Sequence, residues 1–333
     1  MRRLAFGILL AGPLLGLPAI RVSRTVLVMG TQLQIDVIAT SRPAALEATE
    51  STYQAVLRAD ALLSTWHPST LDSLNHATPG DTAVIPSQLA TLLHEVLPWR
   101  DSTDGAFEPV SGAASDAWDL RGAGRVPSDE ELRQAIASTG PGAITIRDGV
   151  AVRRYADAWL DSGAFGKGAA LRMAARALQD ENIHAAFLDF GGQVLALGAP
   201  DSATGWTVAI ADPRHRQQPA LALLLRDASA STSAQSERFV TVNGKRYGHI
   251  LDPRTGRPVP AWGSATVIAP DPLLADILST ALFVMGPDEG LVWANQHPAI
   301  GAVFLVSSDT GTRILSSTGA RKFIVSTHSH PTP

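Results

Sequence analysis

The chain of 333 residues carries a formal net charge of −4, no cysteine, and 9 histidines scattered without ligand spacing. That balance gives no basic footprint for nucleic acid, and the missing thiols exclude disulfides, zinc-thiolate sites, a thiol nucleophile and an acylated-cysteine anchor. With 45% hydrophobic residues the chain buries a substantial core, as one large domain or two packed subdomains.

Arg2 and Arg3, the apolar run from Leu4 to Leu17 and the small-residue context of Pro18-Ala19 read as a secretory signal peptide over residues 1–20. The mature protein is therefore expected outside the cytoplasm, in a periplasmic or equivalent space. An uncleaved N-terminal anchor fits the same pattern, and the paired arginines alone are a weak cue to the export route.

From Val26 to Ile38 the sequence predicts a strand pair or one long strand, with Met29-Gly30-Thr31 inside it. The glycine there suggests close approach by another backbone. Ala44 to Leu63 reads as a helix with Leu46, Tyr53, Val56, Leu57 and Ala61 on one face. Pro86 to Leu97 and Ser128 to Ala137 follow as helices, the second opened by a capping box of Ser128 and Glu131. Short strands are expected at 143–146, 185–190, 193–197, 206–210 and 221–225. Asn243-Gly244 marks a hairpin between Phe239 to Val242 and Lys245 to Ile250. Leu273 to Val284 is an apolar helix, two strands near 302–306 and 313–315 close the domain, and residues 327–333 form a polar tail. Hairpins alternating with helices define an α+β fold with mostly antiparallel sheets.

Four segments carry chemistry. The glycine-rich loop Asp161-Ser162-Gly163-Ala164-Phe165-Gly166-Lys167-Gly168 runs into a helical stretch from Ala169 to Leu178, where backbone N–H groups and Lys167 suit an anion. It matches neither the dinucleotide fingerprint nor the P-loop, and a tight turn with a surface lysine explains it equally. Asp189-Phe190-Gly191-Gly192-Gln193 reads as a turn. In the stretch His249 to Pro258 a strand enters a proline-glycine turn, with His249 placed as a base, a donor or a structural residue. Asp276 and Thr280 lie one turn apart on an apolar helix and offer two hard oxygen ligands on one face, or a carboxylate that bonds the local backbone.

The order of these segments, preceded by Met29-Gly30-Thr31, Ser64-Thr65-Trp66 with Asn75, and Gly105-Ala106-Phe107-Glu108-Pro109, resembles the ApbE family of FAD:protein FMN transferases. The resemblance covers about Val26 to Gly286; its most specific pieces are His249 to Pro258 and the Asp276–Thr280 helix followed by Leu282-Phe283-Val284-Met285-Gly286. It implies two T-fold-like halves with FAD held between them, in a domain spanning residues 21–326. It further implies FAD contacts at Met29, Trp66, Ala106, Phe107, Glu108, Asp161, Lys167, His249 and Ile250. Magnesium would be held by the Ala164 carbonyl, Asp276 and Thr280, with the Ser279 carbonyl as an addition. Glu108, Ser162, Gly166, Leu171-Arg172, Gln193 and Ala234 depart from the family pattern.

The implied reaction has a Ser or Thr hydroxyl of an acceptor flavoprotein, such as a membrane redox complex subunit, attack the FMN-side phosphorus of FAD and release AMP. His249 is the candidate base and Asp276 its rival. Two alternatives share the site: an FAD pyrophosphatase giving FMN and AMP, and a non-catalytic periplasmic FAD-binding protein.

Overall fold

The computed structural model describes residues 19–200, 203–235 and 238–325. The leader expected over residues 1–20 falls almost wholly outside the described residues, as does the tail from 327. Among the described residues no helix is long and apolar enough to cross a membrane.

Eight strands form one sheet: β1 (Ile20–Val28), β2 (Thr31–Ala39), β3 (Ala185–Phe190), β4 (Gln193–Leu197), β5 (Ala228–Ala234), β6 (Gly263–Ala269), β7 (Gly301–Ser308) and β8 (Gly311–Ser316). Their spatial order is their chain order, and each neighbouring pair is antiparallel. Helices α1 (Arg42–Leu63), α2 (Gly166–Asp180) and α3 (Pro272–Gln296) cover one face. The other face is closed by the hairpin Trp206–Ala211/Pro219–Leu225 together with Phe323 and Ile324. Two like halves result: β1–β2, a helical segment and β3–β4, then β5–β6, α3 and β7–β8. This is the antiparallel α+β arrangement the sequence predicts.

The period-two pattern of β2 explains its place. Leu33, Ile35 and Val37 are fully buried beneath α1 and α2, each contributing about 1.5–3 kcal/mol through removal of apolar surface from water. Helix α1 differs from its predicted face. Its buried stripe includes Ala45, Ala48, Ala55, Val56, Ala59 and Leu62, whereas Leu46 is 49% exposed and Ala61 lies outside. Of the predicted face, Val56 is buried and Tyr53 and Leu57 pack against the same core, so only Leu46 and Ala61 depart from it; the alanines let α1 approach α2 and the sheet closely.

Met29 (φ 48°) and Gly30 (φ 71°) form the two-residue turn between β1 and β2, the left-handed pair that tight hairpins require. A Cβ at Gly30 would meet nothing within 4 Å, so the glycine serves the turn and not a close approach. The capping box is present: the Ser128 N–H donates to Glu131 Oε2 at 2.7 Å and the Glu131 N–H to Ser128 Oγ at 3.3 Å. The Ser128 backbone, then Arg125, pull the Glu131 carboxyl down to about 2. Helix α3 extends beyond Val284 to Gln296 across a break at Gly286 (φ 83°), after which Pro287 restarts it. Strands β5 and β6 carry no prediction from sequence: the serines and alanines of β5 are weak strand formers, and β6, buried along nearly its whole length, shows no polar-apolar alternation.

Candidate active site

Helices α2 and α3 meet at their first turns. A Cβ on Gly168 would lie 2.4 Å from the Pro272 carbonyl oxygen and 2.7 Å from Leu273 Cα, so this contact requires glycine. Helix α2 begins at Gly166, three residues earlier than predicted, which brings Lys167 and Gly168 into its N-terminal turn. Asp276 of α3, 2% exposed, enters that turn. Its Oδ2 accepts the Gly168 N–H at 2.8 Å, and its Oδ1 lies 3.6 Å from Lys167 Nζ and 3.3 Å from Ser231 Oγ, which donates to it. The anion expected at this helix start is thus partly supplied by the protein. Gly168 N–H is engaged by Asp276, while the N–H groups of Gly166 and Lys167 complete the same turn.

The helix spacing of Asp276 and Thr280 is realised as one face turned toward β5. Ser231 and Ser233 of that strand stand 3.1 and 2.9 Å from Ser279 Oγ, and Ser233 Oγ is 3.4 Å from Thr280 Oγ1. Sequence reading missed both serines; the alternation Ser229, Ser231, Ser233 was the available signal. No group of three His, Cys, Asp or Glu residues gathers among the described residues. One carboxylate among neutral hard oxygens still fits magnesium, which keeps water and takes further ligands from a bound diphosphate. The long contacts at Asp276 Oδ1 leave that oxygen lone-pair capacity for a cation. Ala164 closes a 3₁₀ turn, Ser162–Ala164, packed on α3.

Asn75 positions the Asp161 loop. Its Nδ2 donates to the Leu160 carbonyl at 2.9 Å and its Oδ1 accepts the Leu160 N–H at 2.8 Å. Ser162 Oγ donates to the Leu63 carbonyl at 2.8 Å, tying the loop to the end of α1. Asp161 Oδ1 accepts the Gly163 N–H at 3.0 Å. Met29 reaches this region: its Cε would lie 3.6 Å from a Cβ at Gly166.

Arg121, absent from the sequence reading, links Asp161 to Trp66. Its guanidinium lies 3.6 Å from Asp161 Oδ2 and donates to Thr65 O and Oγ1 at 2.6 and 2.9 Å. It also stands 4.6 Å from the ring centroids of both Trp66 and Trp159. Trp66 is 66% exposed, an open aromatic face held in place by a cation. Trp159 Nε1 donates to Asp116 Oδ2 at 2.8 Å, and burial pushes the Asp116 carboxyl up. Arg121→Lys keeps the charge but loses the planar fork to Thr65 and the stacking. Tryptophan fluorescence should change and FAD should bind about tenfold more weakly, with thermal stability little altered. Unchanged FAD affinity in a titration would remove Arg121 from the site.

Ala106, Phe107 and Glu108 occupy the interior. The first two are 1% exposed. Glu108 accepts from Arg100 Nε at 2.8 Å, the Val110 N–H at 2.9 Å and the Gly140 N–H at 3.1 Å. Burial raises its pKa despite these donors. The Glu108 carboxylate therefore holds three segments together.

The His249 segment is pinned from one side by Gln235. Gln235 Oε1 accepts the Ile250 N–H at 3.0 Å, while its Nε2 donates to the carbonyls of Ile250 at 2.6 Å and Val259 at 2.9 Å. The predicted strand stops at Gly248, so His249 and Ile250 follow it. His249 Nδ1 lies 3.1 Å from the Arg238 carbonyl. A carbonyl only accepts, so Nδ1 carries a proton and donates it there. Ile250 and Ala106 pack in one cluster with Ala275 and Leu278 of α3, which brings this segment to the helix bearing Asp276. Asp252 and Arg254 close the following turn as a fork at 2.9 and 3.0 Å, and Trp118 Nε1 donates to the Gly256 carbonyl at 2.7 Å.

Two pseudo-repeated antiparallel halves, with a lysine-and-carboxylate site where the α2 and α3 N-termini meet, define an α+β protein with a charged site at a helix crossing. The chain belongs to the ApbE family, whose model matches residues 29–304. It is 32% identical to the FAD:protein FMN transferase of Treponema pallidum, covering 85% of this chain and 84% of that one. The FAD:protein FMN transferase of Vibrio cholerae is 28% identical over 77% of this chain and 78% of its own. Among solved structures, the flavin transferase ApbE from Vibrio cholerae superposes with a TM-score of 0.80 at 27% identity, covering 92% of this chain and 100% of that chain. An ApbE protein from Thermotoga maritima gives 0.81 at 27% identity, covering 90% and 97%.

Proposed function

We propose that this chain is an FAD:protein FMN transferase that moves FMN from FAD to a Ser or Thr hydroxyl of an acceptor protein and releases AMP. The observation that carries the reading is the meeting of Lys167, the α2 N-terminal turn and the buried Asp276 in one half-buried corner, beside the hydroxyls of β5 and α3. In this reading Lys167 and the N–H groups of Gly166 and Lys167 bind the diphosphate and hold it in line for attack. Trp66, steadied by Arg121, offers a stacking face to a ring of the dinucleotide. His249 Nε2 removes the proton of the attacking hydroxyl. The hydroxyl oxygen bonds to the FMN-side phosphorus as the bond from that phosphorus to the oxygen of AMP breaks.

Asp276, with Ser279, Thr280 and the Ala164 carbonyl, would hold Mg²⁺. When bound, that ion supplies neutralisation of diphosphate charge. The departure at Glu108 is structural, since its carboxylate is taken up by Arg100, Val110 and Gly140.

The deciding experiment incubates the protein with FAD, Mg²⁺ and a candidate acceptor domain. AMP release with an FMN mass gain on the acceptor supports transfer; AMP release with free FMN alone supports the pyrophosphatase reading. We also propose export, on Arg2-Arg3 and the Leu4 to Leu17 run. A mature N-terminus near residue 20 is expected by protein sequencing, since β1 begins at Ile20; an intact Met1 on the main cytoplasmic species overturns this.

A further inference from the structure

The hairpin Phe239–Val242/Lys245–Gly248 stands as a two-stranded sheet of its own, joined to no third strand among the described residues. Beside it opens a cavity of about 570 Å³, within the usual range of ligand sites. Its lining includes the aromatic rings of Trp118, Phe239 and Tyr247 and the cations Lys245, Arg246 and Arg257. Arg257 is ion-paired with Asp129. Lys245 and Arg246 make no ion pair among the described residues and lie instead over rings, at 5.1 Å from Tyr247 and 4.4 Å from Phe239. In a chain of net charge −4, two neighbouring cations that pair with no carboxylate among the described residues, beside an aromatic floor, mark a surface complementary to an acidic partner.

The position ties this surface to the reaction. Gly248, the residue before His249, lines the cavity, as does Gln235, which fixes Ile250. Gly248 is required there, since a Cβ would lie 2.0 Å from Gln235 Oε1. The hairpin that lines the cavity therefore leads directly into the histidine assigned as base.

We propose that this cavity and hairpin dock an extended, acidic segment of the acceptor protein, the segment that carries the flavin-receiving hydroxyl. The inference rests on the transferase reading and on His249 as its base. Carboxylates of the segment meet Lys245 and Arg246, an apolar side chain fills the space against Trp118 and Tyr247, and main-chain groups pair with the open hairpin edge as an added strand. Occupied in this way, the groove delivers the hydroxyl to His249 from the side of Gly248, while FAD approaches over α2.

The test uses the full chain and two fluorescein-labelled peptides, one with a single Thr among Asp, Glu and Val residues, the other with Lys at the acidic positions. Anisotropy is read at low and high salt, with FAD affinity followed in parallel by flavin fluorescence. The acidic peptide should bind, weaken with salt, and lose at least about tenfold in affinity in Lys245→Glu/Arg246→Glu, while the basic peptide does not bind the wild type. FAD affinity should be the same in both proteins. Absent or equal binding of the two peptides, or indifference of the acidic one to the double charge reversal, overturns the proposal. So does loss of binding to anionic lipid vesicles in the variant with peptide binding unchanged, which would assign the patch to a membrane surface. Failure of the wild type to bind FAD would sink the transferase reading itself, a separate outcome.

Discussion

Asp276→Asn should abolish most FMN transfer, lowering the rate by about a hundredfold or more, the scale on which removal of one charge-stabilising group acts. The side chain is nearly isosteric, so its Oδ1 can still accept the Gly168 N–H that the carboxylate accepts at 2.8 Å. The amide cannot replace the charge opposite Lys167, and an N–H₂ group turned toward a cation repels it. The main charge expected to hold Mg²⁺ is lost with it. Chelation with EDTA should mimic the variant in the wild type and be reversed by added magnesium. Thr280→Val should be milder, because it deletes a neutral oxygen that water can replace. Full, EDTA-insensitive activity in Asp276→Asn, measured by AMP release, would overturn both the metal assignment and the proposed chemistry.

Gly168→Ala should damage fold and site together. The added methyl would sit 2.4 Å from the Pro272 carbonyl oxygen, 2.7 Å from Leu273 Cα and 2.8 Å from Asp276 Cβ. Two of these are backbone atoms of the first turn of α3, which no side-chain rotation relieves. Overpacking of this kind destabilises by about 1–3 kcal/mol, visible as a lower urea midpoint. Separating α2 from α3 also draws Asp276 away from Lys167 and the Gly168 N–H, so activity should fall well below what the lost stability explains. Gly30→Ala is a useful contrast: nothing lies within 4 Å, and its effect is limited to the strain of φ 71° in the turn. Equal stability and activity of Gly168→Ala and wild type would show that the helices do not meet as described.

The sequence by itself determined the local elements whose signals are short-range. The Asn243-Gly244 turn and the Ser128–Glu131 capping box are set by residues within a few positions of one another, and both form; the Met29-Gly30 turn is equally local, but its glycine was read as a close approach inside a strand. The pairing of Asp276 with Thr280 on one face was legible for the same reason, since helical geometry alone places them there. Residue order also identified the family, because its motifs are local strings. What lay beyond the sequence depends on contacts distant along the chain. Ser231 and Ser233 face Asp276, Ser279 and Thr280 because β5 runs beneath α3, and the alternating serines of that strand do not say what their face meets. Glu108 is a structural carboxylate because Arg100 and Gly140 converge on it. Arg121 joins Trp66 to Asp161 across separate loops. The anion at the α2 N-terminus is in part the protein's own, since only the crossing of two helices at a glycine puts the Asp276 carboxylate against the Gly168 N–H. Spacing along a chain encodes which groups share a face; only packing decides what that face meets.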